Sequence, residues 1–117
     1  MKENIAKQKS RAFAIRIVRL YQYLTETKKE FILTKQLLRS GTSVGAMICE
    51  AEQAETKKDF IHKMGIAQKE INETIYWLDI LHETEYLNSK EFKSINANAV
   101  ELIKLLTSII KTAKINC

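Results

Sequence analysis

An apolar repeat that runs unbroken through a glycine- and serine-containing stretch most constrains the fold of this chain. Apolar or small residues recur there at spacings of three or four, at Leu33, Leu37, Gly41, Val44, Ile48 and Ala51. This is the period of one buried helical face. Glycine inside a helix costs about 0.5–1 kcal/mol relative to alanine, so Gly41 on this face predicts a crowded contact with another helix. The alternative is a loop formed by the residues SGTS at 40–43; we favour the continuous helix.

The same period recurs in three further segments. Together the patterns predict helices over about 8–26, 31–53, 57–87 and 89–114. Thr56 followed by Asp59, and Asn88 followed by Glu91, have the spacing of helix N-caps. The chain has no proline and three glycines, which disfavours a turn-rich β fold. Short connections between amphipathic helices predict an all-α, antiparallel up-down-up-down four-helix bundle, with residues 1–117 as one domain.

The positive charge lies in the two terminal helices. The net charge is +5, and residues 1–30 contain eight basic against three acidic residues, while residues 88–117 contain five against two. Basic surface attracts nucleic acid by neutralising phosphates. Since no base-reading motif is present, we expect recognition of backbone and shape, weakened by replacing three arginines of the first helix together. The candidate nucleic-acid-binding residues are Lys7, Lys9, Arg11, Arg16, Arg19, Lys104, Lys111 and Lys114.

Signals for a membrane protein or an enzyme are poor. No apolar run approaches the roughly 18–20 residues of a membrane span, and no signal-peptide core follows the N-terminus. We therefore expect a cytoplasmic protein without a membrane partner. There is no phosphate-binding loop or nucleophile motif, and the spacing Asp79-x-x-His82 occurs without a second copy. We predict no catalytic site, no metal site and no cofactor, and we interpret Cys49 as a small buried residue.

A polar flank accompanies the core faces of the two central helices. We interpret it as a hydrogen-bonded seam between these helices or between subunits; the alternative is a ligand or metal pocket. Its members are Gln36, Ser40, Ser43, Glu50, Glu70 and Glu73.

Apolar residues also lie away from the core face of the first helix, which predicts a subunit interface. The candidate interface residues are Ala14, Ile15, Val18 and, on the third helix, Trp77. Five aromatic side chains could stack on bases, although their helical spacing favours positions at the core edge or in an interface. These are Tyr21, Tyr23, Tyr76, Trp77 and Tyr86.

Several strings resemble the bacterial four-helix bundle protein family, also called the 23S rRNA intervening sequence protein family. They are LLRSGTSVGA at 37–46, EA at 50–51, DFIHK at 59–63, IAxKE at 66–70 and ETxYWL at 73–78, within a match over about 10–113. The chain departs from the family pattern at Met47, where the family usually has asparagine, and at Cys49, where it has an apolar or small residue.

The resemblance implies a four-helix bundle that assembles as a ring, commonly a homopentamer, with no catalytic activity. Some family members are encoded within intervening sequences of large-subunit ribosomal RNA genes. The accessory protein of diversity-generating retroelements is similar, and it is a basic ring that binds nucleic acid and a reverse transcriptase. We therefore expect a homo-oligomer, with RNA or DNA, and a reverse transcriptase or another protein, as candidate partners. A module that binds only protein is the alternative.

Overall fold

The computed structural model describes residues 2–116 as four helices with no strand among them. They are α1 (Lys2–Glu26), α2 (Leu33–Glu52), α3 (Lys57–Glu83) and α4 (Ser89–Ile115). Each helix packs antiparallel to the one before it, and α1 also packs against α4. The result is a rod about 47 Å long, which confirms the predicted up-down-up-down bundle.

The bundle encloses one apolar core to which all four helices contribute. Its fully buried side chains follow the predicted periods, with Ile17 on α1, Val44 on α2, Ile71 on α3 and Leu106 on α4. Because each helix contacts two neighbours, α1 and α3 lie at opposite corners of the bundle, as do α2 and α4. A surface on α1 and a surface on α3 therefore face different directions.

The glycine-containing stretch is helical throughout, so the loop alternative was wrong. A Cβ atom added at Gly41 would lie 2.8 Å from Cγ1 and 2.9 Å from Cγ2 of Ile17. At Gly45 it would lie 3.5 Å from the backbone oxygen of Ser10. The predicted crowded contact is therefore the one between α2 and α1.

The structure corrects several helix ends. The first helix begins at Lys2 rather than near residue 8, since Ala6 is buried and extends the core by a further turn. The third helix ends at Glu83 rather than near 87, because Glu85 has a positive φ of 71° that a helix cannot contain. The second helix begins at Leu33 rather than at 31 and ends at Glu52, and α4 extends one residue beyond its predicted end, to Ile115.

Both predicted caps are present. The Thr56 side chain accepts a hydrogen bond from the backbone N–H of Asp59 at 3.0 Å, although the reciprocal half of the capping box is missing there. Asn88 and Glu91 form the complete reciprocal pair. Helix α2 has a different cap, because the nearly buried carboxylate of Glu30 accepts from the N–H groups of Ile32, Leu33 and Thr34.

Candidate nucleic-acid interface

Three of the eight predicted nucleic-acid-binding residues bond to neighbouring helices. Lys7 forms an ion pair with Glu52 of α2 at 3.0 Å, and Lys9 forms one with Glu101 of α4 at 3.2 Å. The hydrogen bond that Lys7 donates to the Glu52 carboxylate, together with the negative charge of that carboxylate, raises the pKa of Lys7. Arg16 donates to Asn98 Oδ1 and to a serine hydroxyl of α4, both at 2.7 Å. These cations hold α1 to its neighbours.

The bonds between α1 and α4 form a ladder with a heptad spacing. Lys2 donates to Ser108 Oγ at 2.6 Å, Lys9 pairs with Glu101, and Arg16 donates to Ser94 Oγ. Successive rungs are seven residues apart on both helices, and because α1 and α4 are antiparallel, the numbers rise along α1 and fall along α4. A seven-residue step keeps side chains on nearly the same side of a helix, so the ladder runs along one seam.

A different arrangement is found on the outer surface of α4. Its five lysines are all exposed, and none makes an ion pair or a side-chain hydrogen bond with another residue in 2–116. Their spacings of three, eleven, seven and three residues are close to whole helical turns, so they form one stripe. The acidic residues of α4 are both engaged: Glu101 pairs with Lys9, and Glu91 closes the capping box. We call Lys90, Lys93, Lys104, Lys111 and Lys114 the α4 lysine stripe.

Two members of this stripe, Lys90 and Lys93, were absent from the residues predicted from the sequence. The signal that could have found them is their whole-turn spacing from Lys104. Of the remaining predicted residues, Arg11 and Arg19 are exposed on α1, and Arg19 contacts Gln22 of the same helix at 3.5 Å.

The predicted polar seam lies between α2 and α3, and its buried part is one pair of hydroxyls. Ser40 and Thr74 are both fully buried, with their oxygens 2.9 Å apart. Thr74 Oγ1 also lies 2.8 Å from the backbone oxygen of Glu70, which gives the pair a further acceptor. Thr74 was not among the predicted residues because threonine within an apolar stripe looks like an ordinary core position.

The exposed part of the seam is organised by Arg39, which the sequence interpretation did not include. Its guanidinium forms ion pairs with Glu70, at 3.0 Å, and with Glu73. Trp77 Nε1 donates to Glu73 Oε2 at 2.9 Å. The hydrogen bonds from Arg39 and then from Trp77 lower the pKa of the Glu73 carboxyl, and the bond with Glu73 raises the pKa of Arg39. Both carboxylates therefore already have a cationic partner within this chain, although the two of them share one guanidinium.

The other seam residues make simpler contacts. Glu50 pairs with Lys63 of α3 at 3.1 Å. Gln36 accepts a 3.4 Å bond from Arg39, and Ser43 donates to the backbone oxygen of the same arginine, so neither reaches α3 through a bond. Within the described part of the chain, no group of three or more His, Cys, Asp or Glu side chains could hold a metal ion.

Two residues that the sequence analysis singled out, His82 and Cys49, lie outside the seam. His82 stacks on Phe92 with ring centroids 4.4 Å apart, and it lies 3.3 Å from Ser89 Oγ, which accounts for its position at the core edge. The prediction that Cys49 is buried was wrong. The thiol is exposed because Cys49 follows the core residue Ile48 by one position and so points away from the apolar face.

The predicted interface residues fall on two separate surfaces. Ile15 and Val18 are 45% and 37% exposed on the outer side of α1, with Ala14 half-buried beside them. Trp77 is half-buried on α3, next to α2, and its indole N–H is bonded within the chain. Because α1 and α3 occupy opposite corners, one patch cannot contain all four residues.

No helix among residues 2–116 is long and apolar enough to span a membrane.

An open cleft of about 990 Å³ lies at the end of the bundle where α1 begins and α4 ends, and Ala51, Phe60 and Ile109 form part of its wall. The predicted polar seam is not part of this cleft.

Comparison with known proteins identifies the family. The sequence model described as 23S rRNA-intervening sequence protein matches residues 2–108. The chain belongs to the 23S rRNA-intervening sequence protein family. This confirms the recognition made from the strings on α2 and α3, and the match extends to the N-terminal turn of α1.

A solved structure of the same kind supports this assignment. A protein with unknown function from the S23 ribosomal protein family of Bacteroides thetaiotaomicron VPI-5482 is 56% identical, with a TM-score of 0.94. The alignment covers 95% of this chain and 99% of that chain. No curated protein matches this chain. The family is one of unknown function and is not a known enzyme family.

Proposed function

We propose that this protein is a non-enzymatic bundle that binds the phosphate backbone of RNA, with the α4 lysine stripe as the contact surface. The observation that carries this proposal is the set of five exposed lysines on one side of α4, none of them paired with a residue in 2–116. Lysine neutralises phosphate as a point charge and releases condensed counterions, which makes affinity depend steeply on salt.

The stripe is better suited to this role than α1. A lysine that already has a carboxylate at about 3 Å must lose that partner before it can bind a phosphate. Lys7 and Lys9 are in this position, and Arg16 would have to leave two bonds with α4. The lysines of α4 carry no such cost. The family and the similar Bacteroides protein are named for 23S rRNA and for a ribosomal protein family, which favours RNA among the nucleic acids.

Self-association is part of the proposal. Ile15 and Val18 are three residues apart and exposed on one side of α1, and an apolar pair of this kind favours contact with a second copy of the chain. A homo-oligomer would repeat the lysine stripe and so increase the effective concentration of phosphate contacts. A ring such as the resemblance implies, a reverse transcriptase or other protein partner, and a cytoplasmic location remain predictions.

The proposal is tested by comparing two triple variants with the same loss of charge. In the first, Lys104, Lys111 and Lys114 become Gln; in the second, Lys28, Lys29 and Lys35 become Gln. All six lysines are exposed and make no ion pair within residues 2–116. Binding of a fluorescein-labelled single-stranded RNA is followed by anisotropy between about 50 and 200 mM salt.

We expect the wild type to bind with a negative slope of log K against log salt. The α4 triple variant should reduce that slope by roughly 2, since each lost contact with a single strand contributes about 0.7. The slope of the control triple variant should equal the wild-type slope within experimental error. Absence of binding at 50 mM salt, or equal effects of the two triples, would overturn the assignment of the α4 lysine stripe.

A further inference from the structure

The α4 lysine stripe is interrupted near its middle. Lys93 and Lys104 are eleven residues apart, which is roughly 16 Å of helix, and no lysine or arginine lies between them. A shallow depression of about 600 Å³ occupies this interval. Ala97 and Val100 form part of its lining, and both are exposed. We call this interval the α4 gap. It leaves one lysine group at the start of α4 and another towards its end, namely Lys90 with Lys93, and Lys104 with Lys111 and Lys114.

One carboxylate borders the α4 gap on the side of α1. Glu101 lines the depression together with Lys93 and Lys104, and its side chain is 49% exposed. Its Oε2 lies 3.2 Å from Lys9 Nζ, but Lys9 belongs to α1 and is not among the residues that line the depression. Lys9 therefore offsets only part of this charge, and a ligand that lies over the gap meets the Glu101 carboxylate before it meets Lys9.

The register between α3 and α4 is fixed at two levels. Gln68 Nε2 donates to Thr107 Oγ1 at 2.9 Å, and the ring of His82 stacks on that of Phe92 with centroids 4.4 Å apart. From the first contact to the second, the residue numbers rise by fourteen along α3 and fall by fifteen along α4. The two antiparallel helices therefore advance together, almost residue for residue, between these levels.

This register brings a second carboxylate to the α4 gap. Asp79 lies eleven residues after Gln68, which is close to three whole turns, so it is on the same side of α3 as Gln68, the side next to α4. Asn96 lies eleven residues before Thr107 and lines the depression. Asp79 is therefore beside Asn96, where it is exposed and makes no ion pair within residues 2–116.

The α4 gap distinguishes double-stranded from single-stranded nucleic acid. A single strand laid along α4 carries a phosphate on every nucleotide, so some of its phosphates would have to cross the gap beside Glu101 and Asp79. A line along the surface of a duplex crosses one phosphate ridge, then a groove, and then the second ridge. In A-form RNA the minor groove is wide and shallow, and proteins bind duplex RNA largely through phosphates and 2′-hydroxyls across it.

We propose that the α4 gap makes this surface selective for double-stranded RNA, whose minor groove lies over the gap while Lys93 and Lys104 bind the phosphate ridges on its two sides. Glu101 and Asp79 repel any phosphate placed between those ridges. A single strand binds only the uninterrupted lysine group towards the end of α4. The inference rests on the function proposed above and narrows its preferred ligand to duplex RNA.

The experiment compares the wild type with two double variants that remove the same charge. The gap variant carries Asp79→Asn and Glu101→Gln, and the control carries Glu26→Gln and Glu50→Gln. Glu50, like Glu101, belongs to an ion pair between partly exposed side chains, whereas Glu26, like Asp79, belongs to none within residues 2–116. Each protein is titrated at about 50 mM salt against a labelled single-stranded RNA of about 16 nucleotides and against the duplex that this RNA forms with its complement. Anisotropy is the readout.

The measured quantity is the ratio of the Kd for the single strand to the Kd for the duplex, because the higher charge density of a duplex favours it on any basic surface. We expect the gap variant to lower this ratio by about 3- to 10-fold, since phosphates of a single strand can then occupy the gap. The control variant should change the ratio by less than about twofold, because charges beyond a Debye length are screened.

A third double variant, Lys90→Gln with Lys93→Gln, tests the division of the stripe. In the wild-type background it should reduce the salt slope for the duplex by roughly 2, since each contact with a duplex contributes about 0.9. The slope for the single strand should not change. Combined with the gap variant, the same two substitutions should also weaken single-strand binding, because a continuous strand then reaches both lysine groups.

The two proposals fail in different ways. If the gap variant leaves the ratio unchanged, or the control lowers it equally, the α4 gap does not select duplexes, and the lysine stripe stands provided that the α4 triple variant weakens binding. Weaker single-strand binding by the Lys90 and Lys93 variant in the wild-type background would also overturn the inference. If the wild type binds no single strand at about 50 mM salt, the proposed function falls and this inference falls with it.

Discussion

The close contact between Gly41 and Ile17 makes it possible to predict whether replacing this glycine stabilises or destabilises the protein. In Gly41→Ala the new Cβ would lie 2.8 Å and 2.9 Å from the two γ carbons of Ile17, which is too close for carbon atoms. Ile17 is fully buried and branched at Cβ. Its γ carbons can move away only by rotation about χ1, which a helix restricts, or by separation of α1 from α2. We therefore expect Gly41→Ala to destabilise the protein.

Gly65 supplies the matched control. It also lies within a helix, but a Cβ added there meets no heavy atom within 4 Å. Gly65→Ala should stabilise the fold by about 0.5–1 kcal/mol through helix propensity alone. Gly41→Ala gains the same propensity and loses about 1–3 kcal/mol to overpacking. The gain in helix propensity is the same in both variants. The difference of about 1–3 kcal/mol between their free energies of unfolding therefore measures the steric cost of the new methyl group against Ile17.

Urea unfolding followed by circular dichroism, at one protein concentration, measures both changes. Ile17→Ala removes both γ carbons, so in that background Gly41→Ala should become stabilising, as Gly65→Ala is in the wild type. This reversal of sign separates a local clash from any other effect of the alanine. If Gly41→Ala proves at least as stable as Gly65→Ala in the wild-type background, the close packing of α1 on α2 is wrong.

Three further predictions concern buried or paired polar groups, each measured by chemical unfolding. Glu30→Ala should destabilise by about 1–2 kcal/mol, because three backbone N–H groups at the start of α2 lose their acceptor. Thr34→Val should stabilise by about 1 kcal/mol, since the Thr34 hydroxyl is buried without a hydrogen-bond partner among residues 2–116. The pKa of Glu73 is lower in the folded protein than its ordinary value. The ionised Glu73 side chain therefore contributes fully to the stability of the folded protein above the unfolded pKa of about 4.3. This contribution is lost as the pH falls through the lower pKa of the folded state. Glu73→Gln should make the loss of stability at acidic pH smaller. The difference should be less than about 1 kcal/mol, because Glu73 and Arg39 are both partly exposed.

The sequence predicted the bundle because the relevant signals are local. Apolar residues at spacings of three and four determine which side of a helix is buried, and the Asn88–Glu91 box marks where α4 begins. The start of α1 was missed because residues 2–7 contain two apolar positions within a polar stretch, too few for a period. Only the packed structure shows that Ala6 belongs to the core.

The polar seam was predicted with its carboxylates but without the group that joins them. Glu70 and Glu73 were recognised by their position beside the core, which periodicity supplies. Arg39 comes from the preceding helix, and its contact with them depends on the register between α2 and α3. Helical spacing alone does not fix that register. The same reason explains why Thr74 was not paired with Ser40 in the sequence interpretation.

The net charge of a segment likewise does not show which of its charged side chains are free to bind a ligand. Residues 1–30 have the largest basic excess, yet the structure assigns Lys9 and Arg16 to the ladder that holds α1 against α4. Replacing Arg16 together with Arg11 and Arg19 would therefore loosen the bundle as well as remove charge, and weaker binding by that variant could not be attributed to lost phosphate contacts. Arg11→Gln with Arg19→Gln leaves the ladder intact. If nucleic acid binds along α4 alone, this pair of substitutions should leave the salt slope unchanged, whereas a slope that falls by more than about 1 would extend the interface to the outer surface of α1.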